Sequence, residues 1–311
     1  MINNSDSDYI KSKVICIMGP TASGKTSLAI DAAHRLNGEV ISVDSALIYR
    51  DMDIGTAKPD EQEKKGIEHH LIDILSPEQT YSVSDFLKDA ERCIIEIIAK
   101  GKTPILAGGT MMYFNALING INDLPATNKD VREKLLNLPL NDIYDQLQEV
   151  DPVSAKRIHA SDSQRLIRAL EVYLSTNKSL TQWQSQETKG LDYDFCQFSI
   201  MPTERSRLHN LIEQRFDNML DAGFVNEVER LLEKYSLLPD MPSMRSVGYR
   251  QVWQYLRGEL KHGEMRERGV IATRQLAKRQ ITWLRGWPAI TQLYSEDNNN
   301  VRFLVQKVGA T

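Results

Sequence analysis

The sequence is short of cysteine, of long apolar runs and of repetition, and each shortage removes a class of protein. Its three cysteines, Cys16, Cys93 and Cys196, lie far apart in apolar surroundings. They supply neither an even disulfide set nor the paired spacing of a zinc site, which fits a reducing cytoplasm. No apolar run approaches the roughly 18 residues that a membrane-spanning helix needs. The polar segment 1–13 lacks the hydrophobic stretch of a secretory signal. No internal repeat or low-complexity tract is present. The expectation is a cytoplasmic protein with no membrane partner. With 311 residues, 41% hydrophobic and 26% charged, the chain can bury a sizeable core in one large or two modest domains.

A net charge of −4 looks unpromising for a nucleic-acid binder, but the average hides a split. Residues 245–285 hold ten Lys and Arg against three Glu, so this segment carries +7 and the remainder −11. Basic helices are commonly plain solvated faces. Here Tyr249, Trp253, Tyr255 and Trp283 are interleaved with the charges, which favours phosphate contact combined with base stacking.

The most informative stretch is an apolar run, residues 14–18, followed by Gly19, Pro20, Thr21, Ala22, Ser23, Gly24, Lys25 and Thr26. This is the pattern G-x-x-x-x-G-K-[ST] in the strand–loop–helix context it requires. Glycines let successive backbone N–H groups turn inward around an anion, and the helix N-terminus adds partial positive charge. Lys25 adds a full charge, and the Thr26 hydroxyl can hold magnesium. The chain therefore binds a polyphosphate, whose identity the loop alone does not specify.

Along the rest of the chain, residues 26–36 read as a helix closed by Asn37-Gly38, and 39–44 as a second strand ending on Asp44. Ligands of open α/β sheets bind outside the carboxyl ends of the strands, so Asp44 is expected beside the phosphate loop. A polyphosphate repels a carboxylate. Asp44 could hold magnesium through water, take a proton from a substrate, or cap the helical turn after it. Residues 49–66 read as a long surface loop. His69 and His70 point to opposite faces of a β-like segment and do not suit one metal. Ser82 and Asp85 have the form of a capping box, opening a helix with an apolar stripe through Phe86, Ala90, Cys93, Ile94, Ile97 and Ile98. A buried strand over 103–108 runs into a glycine turn, Gly108-Gly109-Thr110, the third strand end at the same crevice.

From 119 to 190 the β signals vanish, and an all-helical insertion is expected, with Arg132 near its start and a basic helix at 164–168. Residues 191–201 should return to the sheet. Helices follow over 205–222, which carries Arg215, over 225–235 and over 266–285, with a last strand at 289–294. The expected fold is α/β: a P-loop NTPase-like parallel sheet flanked by helices, from 1–118 and 191–311, with the helical insertion 119–190.

Together these motifs resemble those of the tRNA dimethylallyltransferases, also called tRNA isopentenyltransferases. The resemblance rests on the phosphate loop Gly19 to Thr26, on Ser42-Val-Asp-Ser-Ala-Leu-Ile-Tyr49 and on Asp53-Ile-Gly-Thr-Ala-Lys-Pro59. It continues through His69-His-Leu-Ile-Asp73, Gly108-Gly-Thr110, Arg245-Ser-Val-Gly-Tyr-Arg250 and Thr273-Arg-Gln-Leu-Ala-Lys-Arg-Gln-Ile-Thr-Trp-Leu-Arg285. It implies that the loop holds the diphosphate of dimethylallyl diphosphate with magnesium on Thr26, and that Asp44 is the general base. Arg215 is suggested to neutralise the leaving diphosphate, and Thr110 and Arg132 match positions that contact substrate near the reacting centre. Facing tRNA, by the same resemblance, are Asp44, Ser45, Ala46 and Leu47, then Gln164, Arg165, Leu166, Ile167 and Arg168. Arg245, Ser246, Val247, Gly248, Tyr249 and Arg250 belong to the same surface, with Lys278, Arg279, Gln280, Ile281, Thr282, Trp283, Leu284 and Arg285. Eukaryotic members often carry a C-terminal zinc finger; no cysteine pair follows here, so the bacterial form, acting as a monomer, is implied. Two other functions fit parts of the pattern. A small-molecule kinase would use the same loop for ATP, and a nucleotide switch could bind RNA through 245–285 without catalysis.

Overall fold

A computed structural model describes residues 12–309; most of the polar N-terminal segment lies outside them. Six strands form one parallel sheet: β1 (Lys13–Met18), β2 (Gly38–Val43), β3 (His69–His70), β4 (Thr103–Gly108), β5 (Asp194–Met201) and β6 (Thr291–Tyr294), in the order β3-β2-β4-β1-β5-β6. Residues 14–18 of β1 are wholly buried. A parallel strand covered on both faces reads as a continuous apolar run, which is why the sequence at 14–18 does not alternate.

By contact, the chain divides into two compact units, one running up to Leu117 and again from Asp192, the other Ile118–Leu191. Around the sheet lie α1 (Lys25–Leu36), α2 (Glu61–Lys64), α3 (Val83–Ala99) and α4 (Met111–Asn119). The second unit contains α5 (Lys129–Leu136), α6 (Leu140–Val150), α7 (Pro152–Arg157), α8 (Ser163–Thr176) and α9 (Leu180–Gln184), packed on their own core of Leu135, Ile143, Leu147, Leu166 and Leu170. The chain then returns with α10 (Arg205–Asp221), α11 (Phe224–Lys234), α12 (Tyr249–Leu256), α13 (His262–Arg285) and α14 (Asn300–Gly309). The Ser82–Asp85 capping box forms as expected. The longest helix begins at His262 rather than at 266, because Glu264 accepts the Lys261 N–H and extends it by a turn.

Two of the apolar clusters among the described residues bear on the site. In one, Ile15, Ile17, Phe198 and Ile200 of the sheet pack on Leu28, Ala29 and Ala32 of α1 and on Leu304 of α14. In the other, Leu208, Ile212 and Phe216 of α10 meet Phe224 and Val228 of α11, Tyr249 and Val252 of α12 and Met265 of α13. Ile48, Tyr49 and Met52 belong to that second cluster. This corrects the reading of 49–66 as a surface loop: its first turn is core, and Lys58 ties the rest down by bonding Asp53, Asp73 and the Tyr49 carbonyl. His70 is also structural. It hydrogen-bonds the buried Glu39 carboxylate, which accepts from Lys100 and Lys102 as well.

Strand register brings three strand ends together. Met18 of β1 pairs with Gly108 of β4, and Gly108 with Val43 of β2. The three strands therefore end in one row, and the next residues, Gly19, Gly109 and Asp44, leave the sheet side by side. Gly108 must be glycine, since a Cβ there would stand 2.0 Å from the Val43 carbonyl oxygen.

Candidate active site

The phosphate loop is built from backbone constraints. Gly19 donates its N–H to the Gly108 carbonyl at 3.3 Å, and a Cβ on it would strike Ser23 Oγ and the Ile200 carbonyl. Gly24 opens α1 with φ +85°, a left-handed conformation that glycine adopts freely. The Ser23 hydroxyl is buried and has no hydrogen-bond partner among the described residues.

Beside the loop lies a cavity of about 160 Å³ lined by Thr21, Lys25, Thr26, Asp44 and Arg215, with an apolar wall of Ile212, Phe216, Met219 and Leu276. Three of these apolar residues and Arg215 recur at three-to-four spacing on α10, so one helical face supplies both a cation and a greasy surface. Burial, and then the positive charge of Arg215, lower the Lys25 pKa to about 8, against the opposing pull of Asp44. Burial also lowers the Arg215 pKa, with Asp44 and Glu63 opposing. Two desolvated cations sharing a cavity with a single carboxylate are electrostatically under-compensated, the condition that an anion relieves. A larger opening of about 720 Å³ shares Lys25, Thr26 and Arg215 with the first cavity.

Asp44 is held by its own loop. Its Oδ1 accepts the Ala46 N–H at 2.9 Å, and the Thr110 hydroxyl accepts the Ser45 N–H at 3.2 Å. This bond closes a turn rather than the helix considered for Asp44 to cap, and it occupies only one carboxylate oxygen. Gln280 completes the wall: its Oε1 accepts the Thr21 N–H and its Nε2 donates to the Gly109 carbonyl, both at 2.9 Å. Its amide is spent on the phosphate loop and the glycine turn, which corrects its assignment to the tRNA surface.

Five other assignments to that surface need the same correction. Leu166, Ile167, Gly248, Tyr249 and Leu284 are buried, because helices and turns that expose one face pack the other. Tyr249 donates its hydroxyl to Glu227 at 2.6 Å and has no ring face free for a base. Arg266 and Arg274 of the basic segment brace α13 to Glu213 and Asp217 of α10. Their counter-charges lie some fifty to sixty residues away, so a local charge count overstated the basic surface. Lys278, Arg279, Thr282, Trp283 and Arg285 stay exposed, as do Arg165 and Arg250, with Ile281 half-buried. Arg132 and Arg168 share the buried carboxylate of Glu171 inside the helical unit.

Sequence reading missed Glu227 altogether. Its carboxylate is buried and accepts the N–H groups of Asp53, Ile54 and Gly55 as well as the Tyr249 hydroxyl. Gly55, Thr56 and Ala57 line the cavity, so Glu227 sets that wall from behind. Its spacing from Phe224, Val228 and Leu231 puts it on the apolar face of α11, a signal of a buried acid, though not of the loop it serves.

The Lys25 shift has a measurable consequence. Lys25 must be protonated to attract an anion, and in the free protein it loses that proton as pH rises through about 8. Diphosphate affinity in metal-free buffer is expected to weaken roughly 30-fold between pH 7 and 9.5, as read by titration calorimetry. Lys25→Arg should flatten this decline, and a flat profile in the unsubstituted protein would remove Lys25 from the anion site.

Comparison with known proteins bears directly on this geometry. Residues 47–287 match the model of the IPP transferase family. The chain is similar to the full-length tRNA isopentenylpyrophosphate transferase of Bacillus halodurans, with 35% identity over 96% of each chain and a TM-score of 0.72. It is similar to the tRNA delta(2)-isopentenylpyrophosphate transferase of Staphylococcus epidermidis, with 36% identity over 97% of this chain and all of the other, TM-score 0.71. A eukaryotic dimethylallyltransferase acting on tRNA matches at 28% identity over 96% of this chain and 79% of its own, TM-score 0.81.

Proposed function

Since the chain belongs to the IPP transferase family, we propose that it transfers a dimethylallyl group from dimethylallyl diphosphate to the exocyclic amine of the adenosine just 3′ of a tRNA anticodon. The observation that carries this reading is the shared cavity of Asp44, Lys25 and Arg215 against an apolar wall. The cations suit a diphosphate, the wall suits a five-carbon prenyl chain, and the carboxylate suits an amine that must lose a proton.

In the reaction the adenosine nitrogen attacks the first carbon of the dimethylallyl group. The carbon–oxygen bond to diphosphate breaks, with its electron pair leaving on oxygen, and Asp44 takes the proton from nitrogen. Exocyclic amines of bases are poor nucleophiles, so an oriented carboxylate and a fixed near-attack geometry matter. The Ala46 N–H holds one Asp44 oxygen and leaves the other for the substrate. Lys25, Arg215 and the backbone N–H groups of Ala22, Gly24, Lys25 and Thr26 stabilise the charge that collects on the departing diphosphate; those of Gly19, Thr21 and Ser23 are spent within the protein. Thr110, positioned through Ser45, and Arg132, which retains N–H donors beyond its bond to Glu171, contact substrate.

Thr26 and Asp44 offer hard oxygen donors to a magnesium ion, which when bound would neutralise part of the leaving-group charge. Among the described residues no group of three His, Cys, Asp or Glu could hold a metal. This accords with an ion that takes most of its ligands from phosphate and water. No helix among the described residues is long and apolar enough to cross a membrane, and a tRNA substrate suits action in the cytoplasm.

Incubation with labelled dimethylallyl diphosphate and unmodified tRNA, in parallel with labelled ATP, tests the reading. Label should enter the tRNA as dimethylallyladenosine; label found only in a phosphorylated product would establish a kinase instead. Charge on the exposed face of α13 should act through the RNA backbone. Lys278→Ala or Arg279→Ala is expected to weaken tRNA binding and to reduce the salt slope by about one for each phosphate that is no longer neutralised. An unchanged slope would leave that face to solvent.

A further inference from the structure

A second cavity of about 290 Å³ lies on α12, and the reaction as derived makes no use of it. Its wall includes Arg250, Trp253, Gln254 and Arg257, three to four residues apart on one helical face, with Met244 and Asp240 from the preceding segment. Trp253 is half-buried, with its apolar surface packed on the α10–α13 core. Arg250 is exposed and makes no ion pair among the described residues, whereas Arg257 is bound to Glu259 at 3.0 Å. The first turn of α12 separates this cavity from the reactive one. Tyr249 lines the reactive cavity and its neighbour Arg250 lines the second, just as Ser246 and Val247 serve the first and Met244 the second.

The lining chemistry narrows the occupant. An indole ring offers a stacking face to any base. Arginine and glutamine donate to base acceptor edges, and a carboxylate such as Asp240 accepts from an exocyclic amine. A polyphosphate would meet the Asp240 and Glu259 carboxylates, and the cavity is too small for a duplex stem. We infer that it receives one further unstacked base of the RNA loop, beside the adenosine that reacts. The inference rests on the proposed tRNA activity. It gives the flipped loop a second anchor, which offsets part of the cost of unstacking.

The test is a cycle between protein and RNA variants. Anticodon stem-loops carrying one abasic nucleotide at each loop position in turn are titrated into the unsubstituted protein, Trp253→Phe and Trp253→Ala, with affinity read by fluorescence anisotropy. Trp253→Ala should bind the intact loop roughly tenfold more weakly, and Trp253→Phe within about threefold. One loop position other than the reacting adenosine should cost roughly tenfold when abasic in the unsubstituted protein, and nothing further in Trp253→Ala. The KM for dimethylallyl diphosphate should not move. Identical abasic penalties in all three proteins would overturn the inference. Should Trp253→Ala fail to fold, Arg250→Gln, altered at an exposed side chain, carries the same cycle with a reduced penalty expected at the same position. Dimethylallyl transfer to full-length tRNA by the unsubstituted protein separates the two failures. Absence of transfer overturns the proposed function together with this site, whereas transfer with an unaltered abasic pattern overturns this site alone.

Discussion

Asp44→Asn is expected to lower the turnover number by roughly 10²–10⁴ while tRNA affinity stays within a few-fold, the usual range for loss of a general base. Asparagine keeps an oxygen that can accept the Ala46 N–H, the 2.9 Å bond that shapes the loop after β2. The strand row that delivers position 44 to the cavity is untouched, because Val43 is set by its pairing to Gly108. What disappears is a negative charge and a site for the amine proton. Single-turnover transfer at saturating RNA and dimethylallyl diphosphate isolates that step. Asp44→Ala should lose turnover to a similar extent and also leave the Ala46 N–H without its acceptor. If instead RNA binding collapsed while the bound complex turned over at the normal rate, Asp44 would close its turn and do nothing more.

The second large effect belongs to Glu227. Replacement by alanine strips the acceptor from the buried Tyr249 hydroxyl, at 2.6 Å, and from the part-buried N–H groups of Asp53, Ile54 and Gly55, at 3.0, 2.6 and 3.1 Å. Leaving buried donors unpaired costs far more than the net value of their bonds, so a destabilisation of about 3–5 kcal/mol is expected. At the scale of a domain this size that corresponds to a fall in Tm of roughly 10 °C. Glu227→Gln should recover only part of it, since its NH₂ group faces donors where an acceptor is needed. Thermal denaturation gives the test, and a loss below about 1 kcal/mol would mean that water replaces the carboxylate. In variant protein kept folded at low temperature, Gly55, Thr56 and Ala57 lose their support behind the cavity, and the KM for both substrates should rise.

Arg215 and Glu227 show where legibility in the sequence stops. Arg215 is suggested at the sequence level and does line the cavity, while burial lowers its pKa against Asp44 and Glu63 and its charge lowers that of Lys25 across the cleft. Glu227 falls on the apolar face of α11 with Phe224, Val228 and Leu231, but it serves a loop more than 170 residues earlier, and no local pattern points to that partner. The basic segment fails in the opposite sense. Arg266 and Arg274 look like RNA ligands in a linear charge count and are internal braces in the fold.

By itself the sequence determined the parts whose chemistry is local. The loop Gly19 to Thr26 follows from glycine conformations and a strand–helix context, the buried strands from continuous apolar runs, and the cap of α3 from side chains within three residues of the bonds they make. Tertiary structure alone decided the lateral order β2-β4-β1 that sets Asp44, the glycine turn and the phosphate loop in one row. It also decided which face of α13 turns Gln280 inward and which leaves Lys278 and Arg279 outside. Backbone propensity and capping act over a few residues, so a linear sequence displays them. Burial and charge pairing arise only when distant segments meet, and these set both the charge of the cavity and the reach of the RNA-facing surface.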